Sequence, residues 1–308
     1  MKKWLAAALE RVTSRALEQR LKESSQLASI AAGIGKLNAN ANAQRLHPGS
    51  PLREAEFQVF SQFGDDGIIQ HLLAAVDLRK GEDVFVEFGV ENYMESNTRF
   101  LLVNDNWRGL VIDGSERNID FVRRHELHWK YDLTAVNAFI DAENINGLIG
   151  EAGITGSIGL LSVDIDGNDY WVWKAIDCVE PVIVIVEYNG LMGAERTITI
   201  PYDPKFVRSQ AHWSRMYYGA SLPALCHLAN AKGYGFIGSN SAGNNAYFIK
   251  RDRMRGLKEL TPGFGYVESK FRERERDDSP HRIRGRDRNK AVAGLPVINV
   301  VSGQAETL

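Results

Sequence analysis

Five short, almost continuously apolar segments recur along the middle of this chain, and the residues between them have helical periodicity. The segments are Val84–Phe88, Leu110–Asp113, Ala135–Ile140, Ile158–Asp164 and Val182–Glu187. Strands that are apolar on both faces and alternate with helices are typical of a parallel sheet covered by helices on both sides. The chain is therefore predicted to be an α/β protein.

The pattern changes after the fifth segment. Leu222–Lys232 reads as a helix closed by Gly233, and two strand-like segments follow, Tyr234–Ile237 and Ala246–Lys250. The residues between those two, Ser239–Asn245, are typical of a turn, which predicts an antiparallel hairpin. The expected fold is a Rossmann-like, seven-stranded, mostly parallel sheet with an antiparallel terminal hairpin.

Three regions are predicted along the chain, namely 1–50, 51–252 and 253–308. Residues 3–30 read as an amphipathic helix headed by Trp4, and Ala39–Pro51 reads as a polar, turn-rich linker. The helix is expected to stand outside the catalytic domain, where it pairs with another subunit or lies on a membrane surface. Residues 253–308 form a charged extension, expected to be exposed or partly disordered over 270–290.

The charge distribution is uneven. Residues 1–50 hold eight Lys/Arg and three Asp/Glu, and residues 250–308 hold fourteen and nine. Because the net charge is −2, the middle of the chain carries −12. An acidic centre repels phosphates, so we expect no nucleic-acid channel there.

Cysteine use and hydropathy bear on location. The two cysteines, Cys178 and Cys226, form neither a disulfide framework nor a CxxC metal site. No stretch approaches the roughly 18–20 apolar residues of a membrane span, and the short apolar run after Lys2 and Lys3 ends too early for a signal peptide. We expect a cytoplasmic protein, with peripheral membrane contact through the basic N-terminal helix as the alternative.

Two strand ends suggest a cofactor site. Gly89 follows the first strand and, having no Cβ, allows a ligand close to the backbone, while the adjacent Glu87 can accept hydrogen bonds from it. Asp113 ends the second strand, 24 positions after Gly89, where Rossmann-like folds bind a ribose diol. A plain tight turn at Gly89 and an N-cap at Asp113 are the alternatives.

Acidic and amide residues follow the fourth and fifth strands. Asp164 and Asp166 follow one, Glu187 and Asn189 the other, and all four are expected to converge at one edge of the sheet. Such an all-oxygen set suits a hard divalent ion such as Mg²⁺. A charged substrate amine, or ordinary caps and turns, would also explain it.

One histidine is a candidate base. His212 lies beside Trp213 in the insertion after the fifth strand. An imidazole titrates near neutral pH, so His212 is predicted to deprotonate a substrate hydroxyl.

The order of these motifs resembles the FkbM-type family of S-adenosylmethionine (SAM) dependent methyltransferases, which have the class I seven-stranded fold. The resemblance covers residues 57–250, and the matching segments are SQFGDDG (61–67), VEFGVENYMESNT (86–98), VIDGS (111–115), LLSVDIDGND (160–169) and VIVEYN (184–189). Further glycines are usual in the family after Gly89-Val90, where this chain has Glu91-Asn92-Tyr93.

The resemblance implies a role for each matched residue. The positions that would contact SAM are Gln62, Glu87, Gly89, Asn97, Asp113 and Asp164. Asp164 and Asp166 would face the methyl group and the substrate. Similarity to metal-assisted catechol-type O-methyltransferases implies that Asp166, Glu187 and Asn189 are metal ligands.

The expected function is SAM-dependent O-methylation of a glycan or natural-product hydroxyl, by an enzyme that is a homo-oligomer. Two rivals remain open. A nicotinamide-dependent oxidoreductase would explain Gly89 and Asp113, but a full GxGxxG is missing. A non-catalytic binding or scaffold module would use the N-terminal helix to assemble a complex.

Overall fold

A seven-stranded sheet forms the centre of the protein in the computed structural model, which describes residues 26–269, 273–274, 282–283 and 286–308. Its strands are β1 Val84–Phe88, β2 Arg108–Asp113, β3 Leu133–Asn137, β4 Gly156–Val163, β5 Val179–Glu187, β7 Tyr234–Ser239 and β8 Asn245–Lys250. Across the sheet they lie in the order β3-β2-β1-β4-β5-β8-β7. β1 to β5 are parallel, and β8 is antiparallel to both β5 and β7. The predicted fold class is confirmed.

Helices cover both faces of this sheet. A helix over residues 26–45, which we call α1, precedes the others. They are α2 Asp65–Ala75, α3 Arg99–Asp105, α4 Glu116–Arg124, α5 Glu126–Lys130, α6 Ile145–Glu151, α7 Asp169–Ala175, α8 Arg208–Ala211, α9 Leu222–Ala231, α10 Pro262–Gly265 and α11 Arg286–Val292. Short 3₁₀ helices span Leu52–Glu54, Gly190–Met192 and Arg251–Arg253.

The core has one layer on each face of the sheet. On one face, α6, α7 and α9 contribute residues such as Ile149, Trp173 and Leu225. On the other, α2, α3 and α4 contribute residues such as Leu72 and Ile119. The continuous apolar character of the strands is thus explained, because both of their faces are buried.

The third strand is displaced from its predicted position. β3 spans Leu133–Asn137, whereas the sequence pattern placed it at Ala135–Ile140. Residues 138–140 follow the end of β3 and line one side of a pocket that is described below. Their apolar character comes from that side of the pocket and from the core beneath it, where Ile140 is buried.

The C-terminal part of the chain is more ordered than its charge predicted. Three strands, β6 Ile198–Thr199, β11 Pro296–Asn299 and β12 Ala305–Thr307, form a second, antiparallel sheet in the order β12-β11-β6. Between β6 and β11 in the chain, β9 Glu273–Arg274 and β10 Arg282–Ile283 pair antiparallel with each other. A separate apolar cluster that includes Met216 and Val297 packs beneath the three-stranded sheet. Residues 286–308, in the region predicted as a charged extension, are therefore part of the fold. Residues 286–290, in the stretch expected to be exposed or partly disordered, are helical and belong to α11. Most of residues 270–285 lies outside the described residues.

The predicted N-terminal linker is also corrected. Residues 39–43, read as turn-rich, are helical and belong to α1, because their alanines favour a helix more than their asparagines oppose it. The Asn42 amide donates to the Ala55 carbonyl at 3.0 Å, and Lys36 pairs with Asp105 at 3.1 Å. Residues 26–45 thus lie on the sheet domain, not apart from it, while residues 3–25 of the predicted helix lie outside the described residues.

In the described part of the chain, no helix is both long enough and apolar enough to cross a lipid bilayer.

Candidate active site

A pocket of about 420 Å³ lies at the carboxyl edge of β1, β2, β4 and β5. The register aligns these strand ends, since Glu87 is paired with Val111 on one side and with Ser162 on the other. All six residues expected to contact a cofactor line it: Gln62, Glu87, Gly89, Asn97, Asp113 and Asp164. Two of the residues expected to hold a metal ion, Asp166 and Glu187, line it as well. Their roles toward a ligand stay predictions.

Gly89 is the point of closest approach between two strand ends. Its φ of +69° is in the left-handed region. A Cβ built there would lie 1.6 Å from the main-chain oxygen of Asp164. The Gly89 amide donates to the Ile112 carbonyl at 3.0 Å, so the backbone is also held from the other side. Only glycine fits this position without moving β1 away from β4.

Glu87 organises the loop that follows β1. Its carboxylate accepts hydrogen bonds from the Ser96 hydroxyl at 2.5 Å, from the main-chain amides of Asn97 and Thr98 at 2.9 and 3.1 Å, and from the Thr98 hydroxyl. Burial raises the pKa of Glu87, although these bonds oppose the shift. Oε2 accepts three of these bonds, whereas Oε1 accepts only the Asn97 amide among the described residues and can still accept a hydrogen bond from a ligand. Glu87 therefore both holds the 96–98 loop and lines the pocket.

Asp113 joins the two loops on either side of β2. One carboxylate oxygen accepts the Glu91 amide at 2.8 Å, and the other accepts the Ser115 amide at 2.8 Å. Ser115 in turn caps α4 by accepting the Asn118 amide. Oδ1 also accepts the Asn118 side-chain amide at 3.3 Å. Oδ2 accepts only the Glu91 amide among the described residues, so its second lone pair can still accept a hydroxyl from the pocket.

Three carboxylates cluster after β4 and β5. Oxygen atoms of Asp164, Asp166 and Glu187 all lie within 4.8 Å of one another. Burial and the neighbouring carboxylates Asp166 and Asp169 raise the pKa of Asp164 well above its usual range, and burial with Asp164 does the same for Glu187. One buried oxygen of Glu187, Oε2, has no hydrogen-bond partner among the described residues.

The turn after β4 gives the cluster its shape. Asp166 has a φ of +58°, a left-handed conformation that Asp tolerates better than most residues. The buried Asp169 carboxylate accepts the amides of Ile165 and Gly167 at 2.8 and 2.9 Å, which holds the turn in place.

Arg208 is the functional candidate that the sequence patterns missed. It lines the pocket, pairs with Asp166, and stacks on the ring of Tyr218 with its guanidinium carbon 3.7 Å from the centroid. Its Nε donates to the Arg215 carbonyl at 2.7 Å. An isolated arginine in an irregular insertion has no periodicity or motif, so no sequence signal pointed to it.

Two sequence candidates do not reach the site, since neither is among the described residues that line the pocket. The Asn189 amide group donates to the carbonyls of Met216 and Tyr218, and its oxygen accepts the Leu191 amide at 3.0 Å. It shapes the backbone after β5, and its assignment as a metal ligand stays a prediction. His212 is bonded through Nδ1 to the Ser214 hydroxyl at 2.7 Å, and its assignment as a base also stays a prediction.

Comparisons with known proteins give distant structural likenesses. No protein-family model and no curated protein matches the chain. It is similar to a DszA carbon methyltransferase, with 13% identity over 63% of this chain and 54% of that one and a TM-score of 0.39. The chain thus spans about half the length of that enzyme.

Two other solved structures show a similar degree of likeness. One is an O-methyltransferase from Bacillus cereus in complex with SAH, S-adenosylhomocysteine (14% identity, 71% of this chain and 89% of that one, TM-score 0.37). The other is the N-terminal domain of EvdMO1 with SAH bound (11% identity, 55% and 73%, TM-score 0.36). At these values the fold assignment depends on the strand order described above.

Proposed function

We propose that this chain is a SAM-dependent methyltransferase that transfers the methyl group to a hydroxyl oxygen. The observation that carries the proposal is the meeting of Gly89, Asp113 and the carboxylate cluster in one pocket at the carboxyl edge of the sheet. The antiparallel β8 beside β5 supports it, because a dehydrogenase-type sheet would continue in parallel. A glycan or natural-product hydroxyl as the acceptor is proposed from the family resemblance alone.

The charge of the pocket favours SAM over a nicotinamide dinucleotide. Among the described residues that line it, seven are carboxylates and one is a guanidinium. These are Glu87, Glu91, Glu95, Asp113, Asp164, Asp166, Glu187 and Arg208. SAM brings an ammonium and a sulfonium to such a pocket, whereas a dinucleotide brings an anionic pyrophosphate that it would repel.

The chemistry asked of the protein is mainly positioning. When bound, SAM would supply a methyl group on a sulfonium, and the acceptor oxygen would attack that carbon in line as the carbon–sulfur bond breaks, leaving the sulfur as the thioether of SAH. The acceptor's O–H proton passes to a carboxylate. When no cation is bound, Asp164 is suited to this, because its raised pKa brings proton uptake closer to neutral pH. Asp166, held by Arg208, would orient the hydroxyl.

The carboxylate cluster also fits a divalent cation. Its donors are all oxygen, as Mg²⁺ and Mn²⁺ prefer, and the unpartnered Glu187 Oε2 is the kind of buried atom that a cation would satisfy. We propose Asp164, Asp166 and Glu187 as its ligands. When bound, the ion would lower the pKa of a coordinated acceptor hydroxyl.

SAM is expected to bind the full chain with one-to-one stoichiometry, and NADH is expected not to bind. Asp113→Ala should weaken SAM binding by at least about tenfold, the effect of losing hydrogen bonds to a charged group. Isothermal titration calorimetry measures both, with thermal melting to show that the variant is folded. Asp120→Ala, which removes a half-exposed carboxylate of α4 outside the pocket, is the matched control.

The rival functions give different results in the same titration. Binding of NADH but not of SAM would support the oxidoreductase, and binding of neither would support the scaffold module. Unchanged SAM affinity in a folded Asp113→Ala protein would remove the ribose assignment alone.

Mn²⁺ is expected to bind the full chain at one site, and Asp166→Asn should weaken that binding by about tenfold. The reason is the loss of one anionic ligand of three. Titration followed by electron paramagnetic resonance detects the free ion directly. Glu95→Gln, at an exposed position of the same pocket, controls for general charge. If the wild-type protein binds no Mn²⁺, the cluster acts on the acceptor alone.

A further inference from the structure

Helix α1 is held on the domain by a face of small residues. Ala32 is buried, and a Cβ added to Gly35 would lie 2.7 Å from both Phe100 Cε2 and Val59 Cγ2. The helix backbone therefore lies directly on these two side chains. Together with the Lys36–Asp105 ion pair, this contact fixes which face of α1 points outward.

The outward face of α1 has an apolar stripe. Leu27, Ile30, Ile34 and Leu37 are 67%, 59%, 54% and 68% exposed. Their spacing of three, four and three residues places them on one line along the helix, as in the seam of a coiled coil. Single exposed leucines are ordinary on protein surfaces, but an aligned set of four is a contiguous patch of the kind that marks an interface.

The residues beside the stripe indicate what covers it. They are uncharged: Gln26, Ala31, Gly33, Asn38 and Asn40. When one surface meets its own copy across a two-fold axis, like charges beside the seam are brought together, and these five described residues of α1 carry none to repel. A second copy of α1 can therefore approach closely.

An anionic membrane surface would be a poorer match. Helices that lie on such surfaces have Lys and Arg along the polar face. Within residues 26–45 the basic residues are Lys36 and Arg45, and both are engaged within the chain, with Asp105 and with the Glu54 carbonyl.

The exposed glycine at position 33 supports a helix–helix contact independently of the apolar stripe. A Cβ added there would meet nothing within 4 Å, so no contact inside the described chain requires glycine. Glycine in the middle of an exposed helix costs about 1 kcal/mol relative to alanine. Beside a helix seam, the absence of a side chain lets a partner backbone come close, which would account for it.

From these features we infer that α1 is a self-association surface, on which the Leu27–Leu37 stripe packs against the same stripe of a second copy of this chain. Four seam residues make a short interface, smaller than the roughly 800 Å² per partner of a standard complex. The dimer should therefore be reversible and depend on protein concentration. This inference is independent of the proposed chemistry.

Sedimentation velocity of the full chain over a range of concentrations tests the surface. The wild-type protein should show a monomer–dimer equilibrium, and Ile34→Glu should weaken it by at least about tenfold, because it buries a carboxylate in an apolar seam. Ala43→Glu adds the same charge to another exposed position of α1, off the stripe, and should leave the equilibrium unchanged. Ile34 is exposed, so both variants should melt like the wild type.

Three outcomes would overturn the inference. One is a wild-type chain that is monomeric throughout the range. Another is a dimer that Ile34→Glu leaves intact, because the interface would then lie elsewhere. The third is flotation of the wild-type protein, but not of Ile34→Glu, with phosphatidylserine vesicles, which would assign the stripe to a membrane surface.

Discussion

Gly89→Ala is expected to abolish cofactor binding and to lower the free energy of unfolding by about 3 kcal/mol or more. A left-handed backbone alone costs a non-glycine residue roughly 1–2 kcal/mol. The larger part comes from the methyl group, which would overlap the Asp164 main-chain oxygen at 1.6 Å. The strand cannot retreat cheaply, since the Gly89 amide is bonded to Ile112 in β2. Separation of β1 from β4 would open the pocket at its centre.

Thermal unfolding and SAM calorimetry measure the two effects of this substitution. For a domain of this size the loss corresponds to a melting temperature lower by roughly 6–12 °C. Gly114→Ala is the matched control, because Gly114 also lines the pocket but its added Cβ would meet nothing closer than 3.5 Å. A Gly89→Ala protein that melts with the wild type and binds SAM normally would show that β1 and β4 do not approach as described.

Glu87→Ala is expected to destabilise the protein by about 3–5 kcal/mol. It leaves the Ser96 hydroxyl and the amides of Asn97 and Thr98 without their acceptor in a buried loop. Buried donors without partners are costly, and the loop they belong to forms one wall of the pocket. SAM affinity should therefore fall together with stability, although the carboxylate itself is not required to touch the cofactor.

Glu87→Gln distinguishes the effect of side-chain volume at position 87 from the effect of the hydrogen bonds that the carboxylate accepts. Glu87→Gln keeps the volume but turns an amide NH₂ toward hydrogen-bond donors, so its melting temperature should lie between those of the wild type and Glu87→Ala. Glu95→Ala removes an exposed carboxylate of the same loop and should change stability little. Equal melting of Glu87→Ala and Glu95→Ala would contradict the loop-organising role.

The parallel strands of the sheet, and the edge at which their carboxyl ends meet, could be predicted from short segments of the sequence. Apolar segments such as Val182–Glu187 are too continuous for a half-exposed strand, so they predict a buried parallel sheet from composition alone. Parallel strands bring their carboxyl ends to one edge. That geometry predicted that Asp164, Asp166, Glu187 and Asn189 meet there, and the first three line the pocket among the described residues. The terminal hairpin followed from turn chemistry, which is also local.

Tertiary structure decided which nearby polar side chains enter the pocket. Asn189 and His212 have suitable chemistry and suitable positions in the chain. After β5, however, the Asn189 amide group donates to the Met216 carbonyl, and His212 Nδ1 is bonded to the Ser214 hydroxyl. Arg208 enters because the same insertion folds back over Asp166, a contact between residues 42 positions apart that no periodicity encodes. The residues predicted from the sequence, Asn189 and His212, differ from the residue that lines the pocket, Arg208, because loop conformation depends on long-range packing.

The two ends of the chain illustrate the same physical limit. Charge predicted that residues 270–290 are exposed or partly disordered, yet shortly after them Val297 completes an apolar cluster with Met216, a partner far away in the sequence. Alanine and asparagine made residues 39–43 look like a linker, yet they continue a helix whose place is set by contact with Phe100. A local sequence pattern predicts an element correctly when the residues of that segment are buried in the same way along its length, as in the strands of the sheet. When a segment is buried by residues far away in the sequence, only the folded structure shows that contact.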